Sequence, residues 1–127
     1  MLIDDNEIDN LINQKMIEAA GISNHIFTHS GAKSAIEFLR NVEKVAATNP
    51  DVLPNVIFLD IDMPLMDGFQ FLDQFNKLSV QTKNHCSVVI LTSSINPQDA
   101  NKSKNYPHVK KYLNKPLTQE NLAKLDI

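Results

Sequence analysis

The chain has one cysteine, Cys86, in 127 residues, which excludes an internal disulfide and fits a reducing compartment, so a cytoplasmic location is expected. Its four histidines, His25, His29, His85 and His108, share no metal-ligand spacing and have no cysteine partners, which argues against a zinc site. No apolar run comes near the roughly 18–20 residues that span a bilayer. The opening stretch MLIDDNEIDN lacks the basic region and apolar core of a signal peptide. Positive charge is not in excess either. Twelve Lys and Arg stand against 15 Asp and Glu, a net charge of −3, so nothing favours direct nucleic-acid binding by this domain. Internal repeats, low-complexity tracts and linkers are all missing. What is present is a hydrophobic share of 43%, enough to fill the core of one domain, expected over residues 1–127.

Short β-like apolar runs alternate with helical patterns. Met1–Ile3 is a strand stub ending in Asp4-Asp5. Ile8, Leu11, Ile12, Met16 and Ala19 are expected to form one helical face, with Gly21 as its stop. His25–His29 reads as a second strand. Ala32, Ala35, Ile36, Leu39 and Val42 mark a second helix, from near Ser30 to about Ala47, and TNPDVLPN is its exit loop. Val56–Leu59 is a third strand, followed after Gly68 by a helix carrying Phe69, Leu72 and Phe75. Val88–Leu91 is a fourth strand, ending at Thr92. Asn96 as N-cap and Pro97 as first residue open a short fourth helix. Val109–Leu113 is a weaker fifth strand, and Thr118 caps a last helix. Five βα units predict an α/β domain: a parallel sheet with helices on both faces. Strands buried on both sides explain why VIFL and VVIL are continuous rather than alternating.

Charge at the end of such a strand needs an explanation. The run VIFL leads directly into Asp60, with Asp62 two residues on, and carboxylates are costly to bury unless paired, hydrogen-bonded or metal-bound. Open α/β sheets build their sites beyond the carboxyl ends of the strands. Asp4-Asp5, Asp60, Thr92 and Lys115 all fall there. Gathered carboxylates repel one another, and a hard divalent cation such as Mg²⁺ offsets that repulsion. A lysine and a threonine hydroxyl nearby suit phosphate oxygens. Together these parts fit phosphoryl transfer, with Asp60 as the candidate nucleophile that becomes an aspartyl phosphate.

The segments LIDDN, FLDIDMPLMDG, VVILTSS and YLNKP together resemble the receiver domain of two-component response regulators, the CheY-like family, over essentially the whole chain. The resemblance implies a doubly wound (βα)5 fold with strand order 2-1-3-4-5. It makes Asp60 the phospho-acceptor, Asp5 a direct Mg²⁺ ligand and Asp4 a second acid acting nearby or through water. Asp62 falls where the family uses a backbone carbonyl as metal ligand. Lys115 matches the lysine that pairs with the phosphoryl group, Thr92 the switch hydroxyl and Tyr112 the aromatic switch residue. Pro116 matches the proline that often follows a cis bond, while Asp67-Gly68 shapes the turn into the third helix. The implied partner is a sensor histidine kinase or histidine phosphotransfer protein. Phosphorylation would then switch the surface of the fourth helix, fifth strand and fifth helix for a downstream protein, with a homodimer through that surface left open. No output domain is visible, and no turnover of an outside substrate is implied.

Other readings stand beside this one. FLDID also resembles the Asp-x-Asp signature of haloacid-dehalogenase-type phosphatases, but Pro64 stands where that motif wants Thr or Val. Its other acids should also lie downstream, not upstream. A docking module that is never phosphorylated is a third reading, and the intact set of Asp5, Asp60, Thr92 and Lys115 argues against it. Cys86 reads as a small core residue, Phe69, Phe71 and Phe75 as helix packing, and Lys102, Lys104, Lys110 and Lys111 as a solvated face.

Overall fold

A computed structural model of the chain describes residues 1–23 and 25–125. Its strands are β1 (Leu2–Ile3), β2 (Thr28–His29), β3 (Val56–Leu59), β4 (Ser87–Thr92) and β5 (Val109–Asn114). They form one parallel sheet in the order β2-β1-β3-β4-β5. The helices are α1 (Glu7–Ala20), α2 (Ala32–Ala46), α3 (Gly68–Phe75), α4 (Val80–His85), α5 (Pro97–Ser103) and α6 (Gln119–Ala123), with a 3-10 turn at Pro50–Val52.

Alternation along the central strands divides the core in two. Ile57, Leu59, Val88 and Ile90 face a layer with Ile36 and Leu39 of α2 and Phe71, Leu72 and Phe75 of α3. Phe58, Val89 and Leu91 face the other side, with Ile17 of α1 and Leu122 of α6. Both sides of β3 and β4 are therefore dry, as the unbroken apolar runs predict. Each such side chain contributes about 1.5–3 kcal/mol on burial. Cys86 lies in the first layer, 2% exposed, and burial pushes its thiol up to about 12, so it packs rather than reacts.

Caps set the helix boundaries. The Asn6 side chain accepts from the N–H groups of Ile8 and Asp9, and Gly21 closes α1 at φ 66°. Asp67 and Gln70 form a capping box at α3. Ser79 caps α4, Asn96 precedes Pro97 at α5, and Thr118 caps α6.

Three elements differ from expectation. The second strand is only Thr28–His29. Helix α1 turns inward on Asn10, Asn13 and Ile17, while Ile8, Leu11 and Ile12 lie exposed. The first half of this helix covers the charged end of the sheet, so polar residues face in. Asn10 Nδ2, for example, donates to the carbonyl of Asp4 at 2.9 Å. Helix α4 was not expected at all. It has no apolar stripe; Thr82 is its buried residue and Val80 is exposed. Polar contacts hold it instead. The Ser79 N–H donates to Glu43 Oε1 at 2.7 Å, and Gln81 Nε2 donates to the carbonyl of Ala46 at 2.9 Å.

Candidate functional site

Strand direction and pleat bring the site together. Asp4 and Asp60 each lie two residues beyond a side chain of the α1 layer, Leu2 and Phe58. Lys115 stands in the same relation to Leu113, which packs against that layer too. The backbone ladder continues past the strands. The N–H of Asp60 donates to the carbonyl of Ile3 at 3.0 Å, and that of Lys115 to the carbonyl of Thr92 at 2.8 Å. All three charged side chains thus converge under the N-terminal turn of α1.

Lys115 Nζ stands 2.6 Å from Asp4 Oδ2, 2.9 Å from Asp9 Oδ2 and 3.4 Å from Asp60 Oδ2. Asp4 and Asp60 are buried and Asp5 is exposed. Asp4 Oδ1 also accepts from the N–H of Asn6 at 2.9 Å, and Asp60 Oδ1 from the N–H of Asp62 at 3.3 Å. Burial raises Asp60 from its ordinary 3.8 to about 6; the charge of Asp4 adds to the rise, and Lys115 opposes it. Burial likewise works against the charge on Lys115, but hydrogen bonds to Asp4 and Asp9 and the charges of Asp60 and Asp4 outweigh it, so its pKa is raised.

Each of Asp4, Asp5 and Asp60 offers a carboxylate oxygen, and these oxygens lie within 4.8 Å of one another. Three hard oxygen donors at that spacing fit a divalent cation of the Mg²⁺ kind. The Asp62 side chain is exposed and outside this cluster.

Thr92 is fully buried at the end of β4, and its Oγ1 accepts from the N–H of Ser94 at 3.1 Å. On β5, Tyr112 pairs with Ile90, two residues before Thr92, so ring and hydroxyl share one sheet face. The ring packs against the α2–α3 layer, and its shielded Oη has no hydrogen-bond partner among the described residues. The Lys115–Pro116 bond is cis.

Gly68 backs the site. A Cβ there would lie 2.6 Å from Ile61 Cα and 2.7 Å from the Asp60 carbonyl oxygen. Both are backbone atoms that cannot step aside cheaply. Gly68→Ala is expected to cost about 2 kcal/mol, measured as a lowered urea midpoint. Unchanged stability would mean that the loop from Asp60 to Asp67 yields freely.

The sequence pattern brought Asp4, Asp5, Asp60, Thr92 and Lys115 to one edge, and the structure places them there. It did not single out Asp9. The available signal was an acid in the first turn of the helix that follows Asp4-Asp5.

The family model of the response regulator receiver domain matches residues 1–125. The chain belongs to the response-regulator receiver family. Among solved structures, a two-component response regulator from Cytophaga hutchinsonii is 31% identical with a TM-score of 0.83, the match covering 98% of this chain and 90% of that one. A probable methanogenesis regulatory protein, FilR2, of Methanothrix harundinacea is 28% identical over 98% of this chain and 76% of its own. The sensor histidine kinase CheAY of Helicobacter pylori is 27% identical over 97% of this chain, but this covers only 14% of the kinase. This receiver has the sheet order implied by the resemblance, 2-1-3-4-5. No helix among the described residues is long and apolar enough to cross a membrane.

Proposed function

We propose that this receiver, acting as one unit over residues 1–127, accepts a phosphoryl group on Asp60 from a phosphohistidine of a partner kinase or phosphotransfer protein in the cytoplasm. The observation that carries this reading is the convergence of Asp60 with Asp4, Asp5 and Lys115 at the end of a buried strand.

In the forward step an Asp60 carboxylate oxygen attacks phosphorus. The P–N bond to the donor imidazole breaks, its electron pair goes to that nitrogen, and Asp60 becomes an acyl phosphate. With acetyl phosphate the bond broken is P–O, and acetate leaves with the pair. In the loss step water attacks phosphorus, the pair returns to the Asp60 carboxylate, and inorganic phosphate leaves as a proton passes to solvent. Asp5 and Asp60 would hold Mg²⁺ directly, Asp4 indirectly and Asp62 by its carbonyl; when bound, the ion neutralises charge on the phosphoryl oxygens. Lys115 supplies a donor to one phosphoryl oxygen, and the Thr92 hydroxyl to another.

Recruiting Thr92 removes it from the Ser94 N–H and vacates space on the face it shares with Tyr112. Tyr112 then turns, and the surface of α5, β5 and α6 shifts toward the population that a downstream protein, or a second copy, binds better. The exposed Ile8, Leu11 and Ile12 on α1, with Leu65 and Ile95 on the loops after β3 and β4, give a phosphodonor protein apolar surface on several elements at this end of the fold. The haloacid-dehalogenase reading is not favoured. The receiver match takes up residues 1–125, and on the receiver reading the chemistry is self-phosphotransfer and self-dephosphorylation.

Intact mass after incubation with acetyl phosphate and Mg²⁺ tests the reading. The wild type is expected to gain one phosphoryl group and Asp60→Asn none. An equal gain in the variant would place the acceptor elsewhere. Turnover of added phosphomonoesters without an adduct would favour the phosphatase.

A further inference from the structure

An ammonium has three N–H donors, and Lys115 meets three carboxylates. The short contacts go to Asp4 and Asp9; Asp60 is left with the longest, 3.4 Å, beyond the usual range of an N–H···O bond. To bond a phosphoryl group on Asp60 closely, Lys115 Nζ has to shift toward Asp60, and that shift lengthens one of the two short contacts. Asp4 is the poorer candidate. It is buried, and its second oxygen is already bonded to the Asn6 N–H. Asp9 sits in the first turn of α1, its side chain is 34% exposed, and Lys115 is the partner recorded for its carboxylate. The helix fixes its backbone, with the Asp9 N–H held by the Asn6 cap at 3.1 Å, so Asp9 cannot follow Lys115 toward Asp60.

We propose that Asp9 is a positioning residue that holds Lys115 back from Asp60 in the unphosphorylated protein and so limits how readily Asp60 gains a phosphoryl group. The inference rests on Asp60 being the phospho-acceptor. Asp9 touches no reacting atom; it acts by competing for a donor. Its exposure keeps the competition modest, because solvent takes over part of the pairing once Lys115 leaves.

The test compares initial rates of phosphorylation by acetyl phosphate and Mg²⁺, followed by intact mass, in the wild type, Asp9→Asn, Asp9→Ser, Asp9→Glu and Glu7→Gln. Glu7 lies in the same helical turn, is exposed and makes no contact with Lys115. Asp9→Asn and Asp9→Ser are expected to react roughly three- to tenfold faster, the range of a partly exposed charge-assisted contact. Asp9→Glu, which keeps the pair, and Glu7→Gln are expected to match the wild type. Thermal melts identify any variant that is merely unfolded, and the Ser variant decides if the Asn variant is. Rates unchanged at position 9 would overturn the proposal while leaving the acceptor reading intact. So would an equal gain from Glu7→Gln, which would indicate general charge repulsion. A wild type that takes no phosphoryl group overturns both.

Discussion

Lys115→Met is expected to lower folding stability at pH 7.5 by about 3 kcal/mol, read from the urea midpoint in EDTA. Removing one member of a buried ionic set costs about 3–5 kcal/mol because its partners stay behind without compensation. Here three carboxylates stay behind, Asp4, Asp9 and Asp60, all within 3.4 Å of the missing ammonium. The Lys115 side chain is 16% exposed, which leaves some solvent access and sets the figure at the lower end. Methionine keeps the aliphatic stem, so the loss reports charge rather than packing. Two conditions should restore part of it. Acidification to pH 5 protonates Asp60, whose carboxyl is raised to about 6 even with Lys115 in place to oppose the rise. Millimolar Mg²⁺ should stabilise the variant by binding the folded form only. A loss below about 1 kcal/mol would mean that the three carboxylates are better solvated than their burial implies.

The parts of this fold that were legible share one property: their residue choice answers to the sheet. Val56–Leu59 and Val88–Leu91 are apolar on consecutive positions because odd and even residues meet different helical layers. The acids at 4, 5 and 60 and the lysine at 115 were placed by strand direction alone. The misread parts answer to something the one-dimensional pattern does not carry. Hydrophobic spacing in α1 pointed to Ile8, Leu11 and Ile12, yet the helix buries Asn10 and Asn13, because its inward face meets a charged strand end. Helix α4 has one buried residue, so it leaves no periodic trace; its cap and two long-range polar contacts make it. Asp9 escaped for the same reason. Nothing in a helix's own sequence says that the lysine 106 residues further on will reach it.

The second large effect belongs to pH. Asp60 has a folded-state pKa near 6 against an ordinary 3.8. Between those values the folded protein binds more protons than the unfolded chain, so stability falls as pH rises through this window. Well below about pH 4 the carboxyl is neutral in both states and the penalty vanishes; at about pH 4 the penalty is still small, and above about pH 6.5 it is nearly complete. Two pK units correspond to about 3 kcal/mol, and the mutual influence of Asp4 and Lys115 makes about 2–3 kcal/mol the expected range. Asp60→Asn removes this titration and nothing else of comparable size. Urea midpoints in EDTA should therefore bring the two proteins close together at pH 4 and separate them by that amount, with the variant the more stable, at pH 7. Parallel curves would show that Asp60 is not strained by its position, and would remove the electrostatic reason for a cation there. If the gap opens, Mg²⁺ titrated at pH 7 should close it from the wild-type side, since the ion gains most where the acceptor carboxylate is intact. The same unfavourable charge that weakens the resting domain would then be the affinity that draws in the metal. Stability withheld in the free protein is returned on binding, and the site stays poised until cation and phosphodonor are both present.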